Sequence, residues 1–222
     1  MRLLILLSCL FFFSSTIAFA RCPSQRPLAI IQYSVSPTEY IKKNNSDHLT
    51  NMHTGGYGAG QVLGLAGGDV GTSFKATFAL KQVKKDLYCL NVKKIKATFF
   101  AHPKVYIASN FKRGTCEYAN VLKHEEKHVK TLKKTHREYM PKFKQHLSSA
   151  ARDLPVLEPM TLSEANENKD VYVKKISEDL SSYMHVIMME VAQRQKEVDS
   201  KEEYQRVMKR CSKWDKRLAE NP

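Results

Sequence analysis

The apolar positions change period twice along the chain. LAIIQYSVS, residues 28 to 36, is β-branched and apolar and predicts a strand. Pro37-Thr38-Glu39 then reads as a turn into a short helix, Glu39 to Lys43, ended by polar Asn44 to Asp47. From Thr72 to Asn110 the period is two: SFKATFAL alternates, LYCLNVKKIKATFF follows, and KVYIA comes after a break at Pro103. Together these predict an antiparallel sheet with one solvated, Lys-rich face.

After Gly114-Thr115 the period lengthens. Tyr118, Val121, Leu122, Glu125, Val129 and Leu132 fall at helical spacing, and the pattern runs to Tyr139, where Pro141 is expected to kink or end the helix. DLPVLEP, residues 153 to 159, reads as a linker. A second long helix, Asp170 to Lys196, would bury Val173, Ile176, Leu180, Tyr183, Ile187 and Val191. Ser200-Lys-Glu-Glu203 has the form of a capping box at the start of a last helix that reaches Trp214 or beyond.

Eight of the nine glycines lie between Gly55 and Gly71. A phosphate-binding loop needs G-x-x-x-x-G-K-[ST], and no such Lys is present, so hairpin turns and bulges around Gln61 to Leu65 are the expectation. There is no internal repeat.

The first 20 residues follow a different rule. Arg2, an apolar run from Leu3 to Phe13 and Ala18-Phe19-Ala20 make a secretory signal peptide, and no later stretch approaches a transmembrane span. The reading is an exported protein, periplasmic or secreted, with one domain at 21–222. Its sheet-rich half is 21–113 and its helical half 114–222. Cys9 leaves with the signal. The even set Cys22, Cys89, Cys116 and Cys211 then argues for two disulfides. Cys89 with Cys116 and Cys22 with Cys211 is the favoured pairing, because the first would staple a strand to the start of the next helix.

Without Arg2 the chain carries 35 basic and 22 acidic residues. The excess is concentrated: Lys81 to Lys144 holds 17 Lys and Arg against five acids. An exported protein meets little nucleic acid, so the expected partners are an anionic envelope component or an acidic peptide. Lys123, Lys127, Lys130, Lys134 and Arg137 recur as a stripe on the first long helix, either a solvated face or a means of capturing acidic substrate.

That helix also carries His124-Glu125-Glu126-Lys127-His128, an H-E-x-x-H. Two His at i and i+4 share one face and can reach one tetrahedral zinc, with Glu125 beside a zinc-activated water as general base. A packing role for the two His beside Val121 and Leu132 is the alternative. The extension H-E-x-x-H-x-x-G-x-x-H is absent, because Thr131 and Lys134 stand where Gly and His would be. His136 lies about 80° off the ligand direction, so the third ligand is sought downstream, among Glu190, Asp199, Glu202 and Glu203. Tyr204 is either an oxyanion donor or, more commonly for such a Tyr, core, and Trp214 and Met184, Met188 and Met189 read as packing.

In its order of elements the chain resembles a family of bacterial secreted proteins of unknown role that are described as zinc-dependent proteases. The landmarks are Tyr33-Ser-Val, Cys89 opening a Val-rich strand pair, HEEKH, and Gln195-Lys-Glu-Val-Asp199. The family's terminal motif is similar to Y-D-x-x-T-x-H-G. Here Val198, Asp199, Glu202, Tyr204 and Gln205 stand where Tyr, Asp, Thr, His and Gly would be. Lacking that His, the chain is expected to use Glu203, with Asp199 as the alternative.

These readings converge on an α+β, zincin-like fold and a zinc-dependent peptidase: His124 and His128 as ligands, Glu125 as base, a peptide or protein as substrate. A basic envelope-binding protein that keeps the scaffold without turnover is the rival. Metal storage is a weaker third, because His-rich and Cys-rich tracts are absent.

Overall fold

The computed structural model describes residues 21–53 and 61–220. The expected signal peptide and the Gly55–Gly60 part of the glycine-rich segment lie outside them. The organisation is α+β, with sheet first and helices after. β1 is Leu28–Val35, β2 Glu39–Ile41, α1 Ser46–Met52, β3 Gly64–Lys84 and β4 Leu87–Ile107. The helical half is α2 Cys116–Arg152, α3 Leu162–Val198, α4 Lys201–Met208 and α5 Trp214–Glu220.

β4 is the hub of the sheet. β3 pairs with it antiparallel along nearly its whole length, as the alternation predicts. β1 and β2 pair with it in parallel, so the sheet is mixed and not the antiparallel one expected. Residues 39–41, expected to open a helix, form β2 beside Lys104–Tyr106, and the helix starts later, with Asn45 as its N-cap. Gly64, Gly67, Gly68 and Gly71 lie within β3 rather than in a hairpin turn, and β4 runs through Pro103 without a break.

The parallel register explains the disulfides. Leu28 lies beside Lys94, so the chain just before β1 runs alongside the start of β4, and Cys22 bonds Cys89. Cys116, at the start of α2, bonds Cys211 just after α4. Both differ from the expected pairing of Cys89 with Cys116 and Cys22 with Cys211: the strand is stapled to the segment that precedes β1, and the start of α2 to the segment after α4.

One face of the sheet holds Ile95, Ala97, Phe99, Ala101 and Val105 of β4, all buried beneath the helices. The other face is solvated and includes Lys96 opposite Lys75 of β3. α2 does not stop at Pro141. Phe143 and Leu147 are fully buried beyond it, and Phe143 stacks on Phe99 at 5.0 Å. An internal Pro costs about 3 kcal/mol, whereas burying two such side chains returns about 1.5–3 kcal/mol each.

α3 begins eight residues earlier than the periodicity indicates, at a full capping box of Thr161 and Glu164. It buries Tyr172, Ile176, Leu180, Met184, Ile187 and Val191 against the same core, while Val173 faces solvent. Trp214 is buried but belongs to α5, separate from α4, which Ser200 caps. Among the described residues no helix is long and apolar enough to cross a membrane.

Candidate metal centre

His124, Glu125 and His128 lie on the buried face of α2, where Val121, Val129 and Leu132 fix the helix against the sheet. Opposite them the chain turns a corner between α3 and α4. Asp199 is the C-cap of α3, its amide donating to the Gln195 carbonyl, and Ser200 is the N-cap of α4. The corner projects Asp199 between the two imidazoles. Asp199 Oδ1 is 3.2 Å from His124 Nε2 and 3.0 Å from His128 Nε2, and the two nitrogens are 3.2 Å apart.

The outer ring nitrogens determine what those inner atoms can do. His128 Nδ1 donates to Gln195 Oε1 at 2.6 Å, while Gln195 Nε2 donates to the His128 carbonyl at 3.2 Å, which orients the amide. His124 Nδ1 faces Glu203 Oε1 at 3.4 Å. Both neutral rings therefore turn a lone pair on Nε2 toward a carboxylate oxygen. Three acceptors this close repel one another unless a proton or a metal cation lies among them. Two imidazole nitrogens and a carboxylate oxygen are donors that zinc takes, and these three would hold it. The group fits a metal by distance and by chemistry.

Electrostatics agree with that geometry. Burial would raise the Asp199 carboxyl, but when the Nε2 atoms of His124 and His128 carry protons, their hydrogen bonds to it hold it well below the usual carboxylate range. Burial lowers both imidazoles, but Asp199 and Glu125, joined by Glu203 at His124 and by Gln195 at His128, together outweigh it and leave each raised. Glu125 is only 4% exposed. Burial pushes its carboxyl up to about 7, against the pull of His128 and His124. The Ala66 amide of β3 bonds it. Gly64 makes the approach feasible: a Cβ there would come within 2.5 Å of Glu125 Oε1 and of Val121 Cγ1.

Of the carboxylates expected from sequence, Asp199 reaches the inner side of the His pair and Glu203 does not. Glu203 sits behind His124, ion-paired with Lys127 at 2.7 Å and with Arg206, so only half of its capping box forms, the Ser200 hydroxyl accepting from its amide. Glu190 is tied to Arg194, Glu202 is exposed, and His136 is buried between Tyr33 and Phe99. Tyr204 is 52% exposed rather than core; its hydroxyl donates to Asp199 Oδ1 at 3.0 Å. Met188 and Met189 are exposed, whereas Met184 packs in the core. Lys127 is diverted to Glu203, while Lys123, Lys130, Lys134 and Arg137 of the same stripe face solvent.

Gln195 was not singled out as a functional residue by sequence reasoning. Its place one helical turn before Asp199, on the α3 end that meets HEEKH, is the signal that identifies it. Compared with protein-family models, curated proteins and solved structures, the chain matches none.

Proposed function

We propose that the protein is an exported zinc-dependent peptidase. The observation that carries this reading is the triangle of His124 Nε2, His128 Nε2 and Asp199 Oδ1 with a buried Glu125 next to it. His124, His128 and Asp199 would hold the ion, three protein ligands being the number that leaves a position open for reaction. Bound zinc polarises a carbonyl and lowers the pKa of water to ~7.

The chain's own residues do the rest. Glu125, poised near 7, accepts a proton from the attacking water at neutral pH and returns it to the leaving amine. Gln195 and Glu203 hold the imidazoles so that their Nε2 lone pairs converge. Tyr204 supplies a hydroxyl at the rim, within reach of charge that develops beside Asp199. The two disulfides and the absence, among the described residues, of a membrane-crossing helix accord with an exported chain.

The test is metal content together with Glu125→Gln. Oxidised wild type should hold one zinc. Glu125→Gln should keep it and lose at least ~10²-fold in peptide hydrolysis. A protein that takes up no zinc sinks the proposal.

The rival, an envelope-binding protein without turnover, draws on the sheet's solvated face. Lys75 lies directly opposite Lys96, and like charges in that position cost stability unless an anion screens them. Polyphosphate binding that is lost in Lys75→Gln/Lys96→Gln, in a zinc-loaded protein with no hydrolysis, would favour it.

A further inference from the structure

Beside the metal centre lies a cavity of about 240 Å³, bounded by α2, α3 and β3. Its lining is nearly all apolar: Val129 and Leu132 from α2, Met188, Val191 and Ala192 from α3, and Val70 from β3. Leu132 and Val191 also belong to the core, so the inner part is built on rigid packing, while Met188 and Ala192 reach solvent. The polar side chains on the cavity are His128 and Gln195, the pair whose mutual hydrogen bond aims His128 at the metal position. The remaining lining is the Ala66–Gly68 segment of β3, whose other edge is occupied by β4 and which among the described residues pairs with no further strand.

Resting on the peptidase reading, we infer that this cavity is a substrate subsite that takes a bulky apolar side chain, leucine- or phenylalanine-like, next to the bond presented to the metal. Its volume exceeds the roughly 150 Å³ apolar cavity that suffices for benzene. No acid or base lines it other than His128, so a charged side chain entering it would lose its hydration without a counter-ion. The lone ring held by Gln195 marks the end nearest the reaction. Met188, unbranched and polarizable, lets the mouth adapt to either an aliphatic or an aromatic group. The basic stripe on α2 leads to a different expectation, an acidic substrate, but its exposed members lie outside this lining. Any acidic preference therefore belongs to positions farther along the peptide.

Amino-acid hydroxamates test this without requiring turnover, because the hydroxamate grips zinc while the side chain probes the cavity. Affinities of glycine, leucine, phenylalanine and aspartate hydroxamate for the zinc-loaded protein would be measured by calorimetry. Leucine and phenylalanine hydroxamates should bind at least ~10-fold tighter than glycine hydroxamate, and aspartate hydroxamate no tighter. Ala192→Phe, which narrows the exposed mouth, should erase the gain while leaving glycine hydroxamate unchanged. Met188→Ala, which removes a half-exposed wall, should reduce it. If glycine hydroxamate binds but leucine and phenylalanine bring no gain, or the gain survives Ala192→Phe, the subsite is wrong and the metal reading stands. If no hydroxamate binds the zinc-loaded protein, both fall together.

Discussion

Gln195 grips His128 twice, accepting from its ring Nδ1 at 2.6 Å and donating to its main-chain oxygen at 3.2 Å. A single amide thereby sets the tautomer of one candidate ligand and ties α3 to the HEEKH turn of α2. Asp199 follows one turn later on the same chain segment. Ring orientation and carboxylate delivery are thus one structural event.

Gln195→Leu keeps the volume and removes both hydrogen bonds. Zinc affinity, measured by competition with a chromogenic chelator, should fall ~10–100-fold, the usual scale for outer partners of a ligating His. An unchanged affinity would mean that packing alone orients His128.

Asp199 and Glu203 are separable. Asp199→Asn removes the charged oxygen lying 3.0–3.2 Å from both Nε2 atoms, and zinc binding should be lost at micromolar metal. Glu203→Gln withdraws only the partner of His124 Nδ1 and should weaken zinc by no more than ~100-fold. The reverse order would return Glu203 to the ligand set.

The disulfides should differ in what they protect. Each closes a long loop, with separations of 67 and 95 residues, and removing either should cost about 2–4 kcal/mol of unfolding free energy. Cys116→Ser/Cys211→Ser should in addition weaken zinc, because that bond holds the segment carrying Asp199 over α2. Cys22→Ser/Cys89→Ser should leave affinity within about threefold. Chelator competition under native conditions separates the two effects.

His136 gives a pH prediction far from the metal. Packed between Tyr33 and Phe99, it is desolvated, and burial lowers its pKa to about 4, the Phe100 carbonyl offsetting only part. Its unfolded value is about 6.5, so on acidification the unfolded chain takes up the proton first. The stability this group contributes is full above pH 6.5 and lost toward pH 4. His136→Phe should therefore show a shallower fall in Tm over that window than wild type. Parallel curves would exclude His136 as a source of acid sensitivity.

How much of this was legible in the sequence depends on how local the determining physics is. HEEKH announces its geometry because i and i+4 share a helix face whatever the rest of the chain does, and Val121, Val129 and Leu132 mark that face as buried. For the third candidate ligand the sequence favours Glu203 over Asp199, whereas the structure brings Asp199 to the Nε2 atoms: the two are four residues apart, and a tertiary corner decides which one faces inward. The corner also determines that Tyr204 is exposed. Pro141 misleads because a local penalty is overridden by Phe143 and Leu147, whose burial depends on a sheet laid down earlier in the chain. The parallel course of β1, and with it the Cys22–Cys89 bond, leaves no trace in strand periodicity: a strand alternates in the same way whichever direction its neighbour runs.

The span of chain between the candidate ligands has a temporal meaning. His124 and Asp199 are 75 residues apart, and α3 lies between them. During synthesis the His pair emerges long before its carboxylate, and Cys116 waits still longer for Cys211. A chain interrupted before the α3–α4 corner presents two histidines and no carboxylate, so the order of synthesis delays assembly of the candidate centre until nearly all of the protein exists.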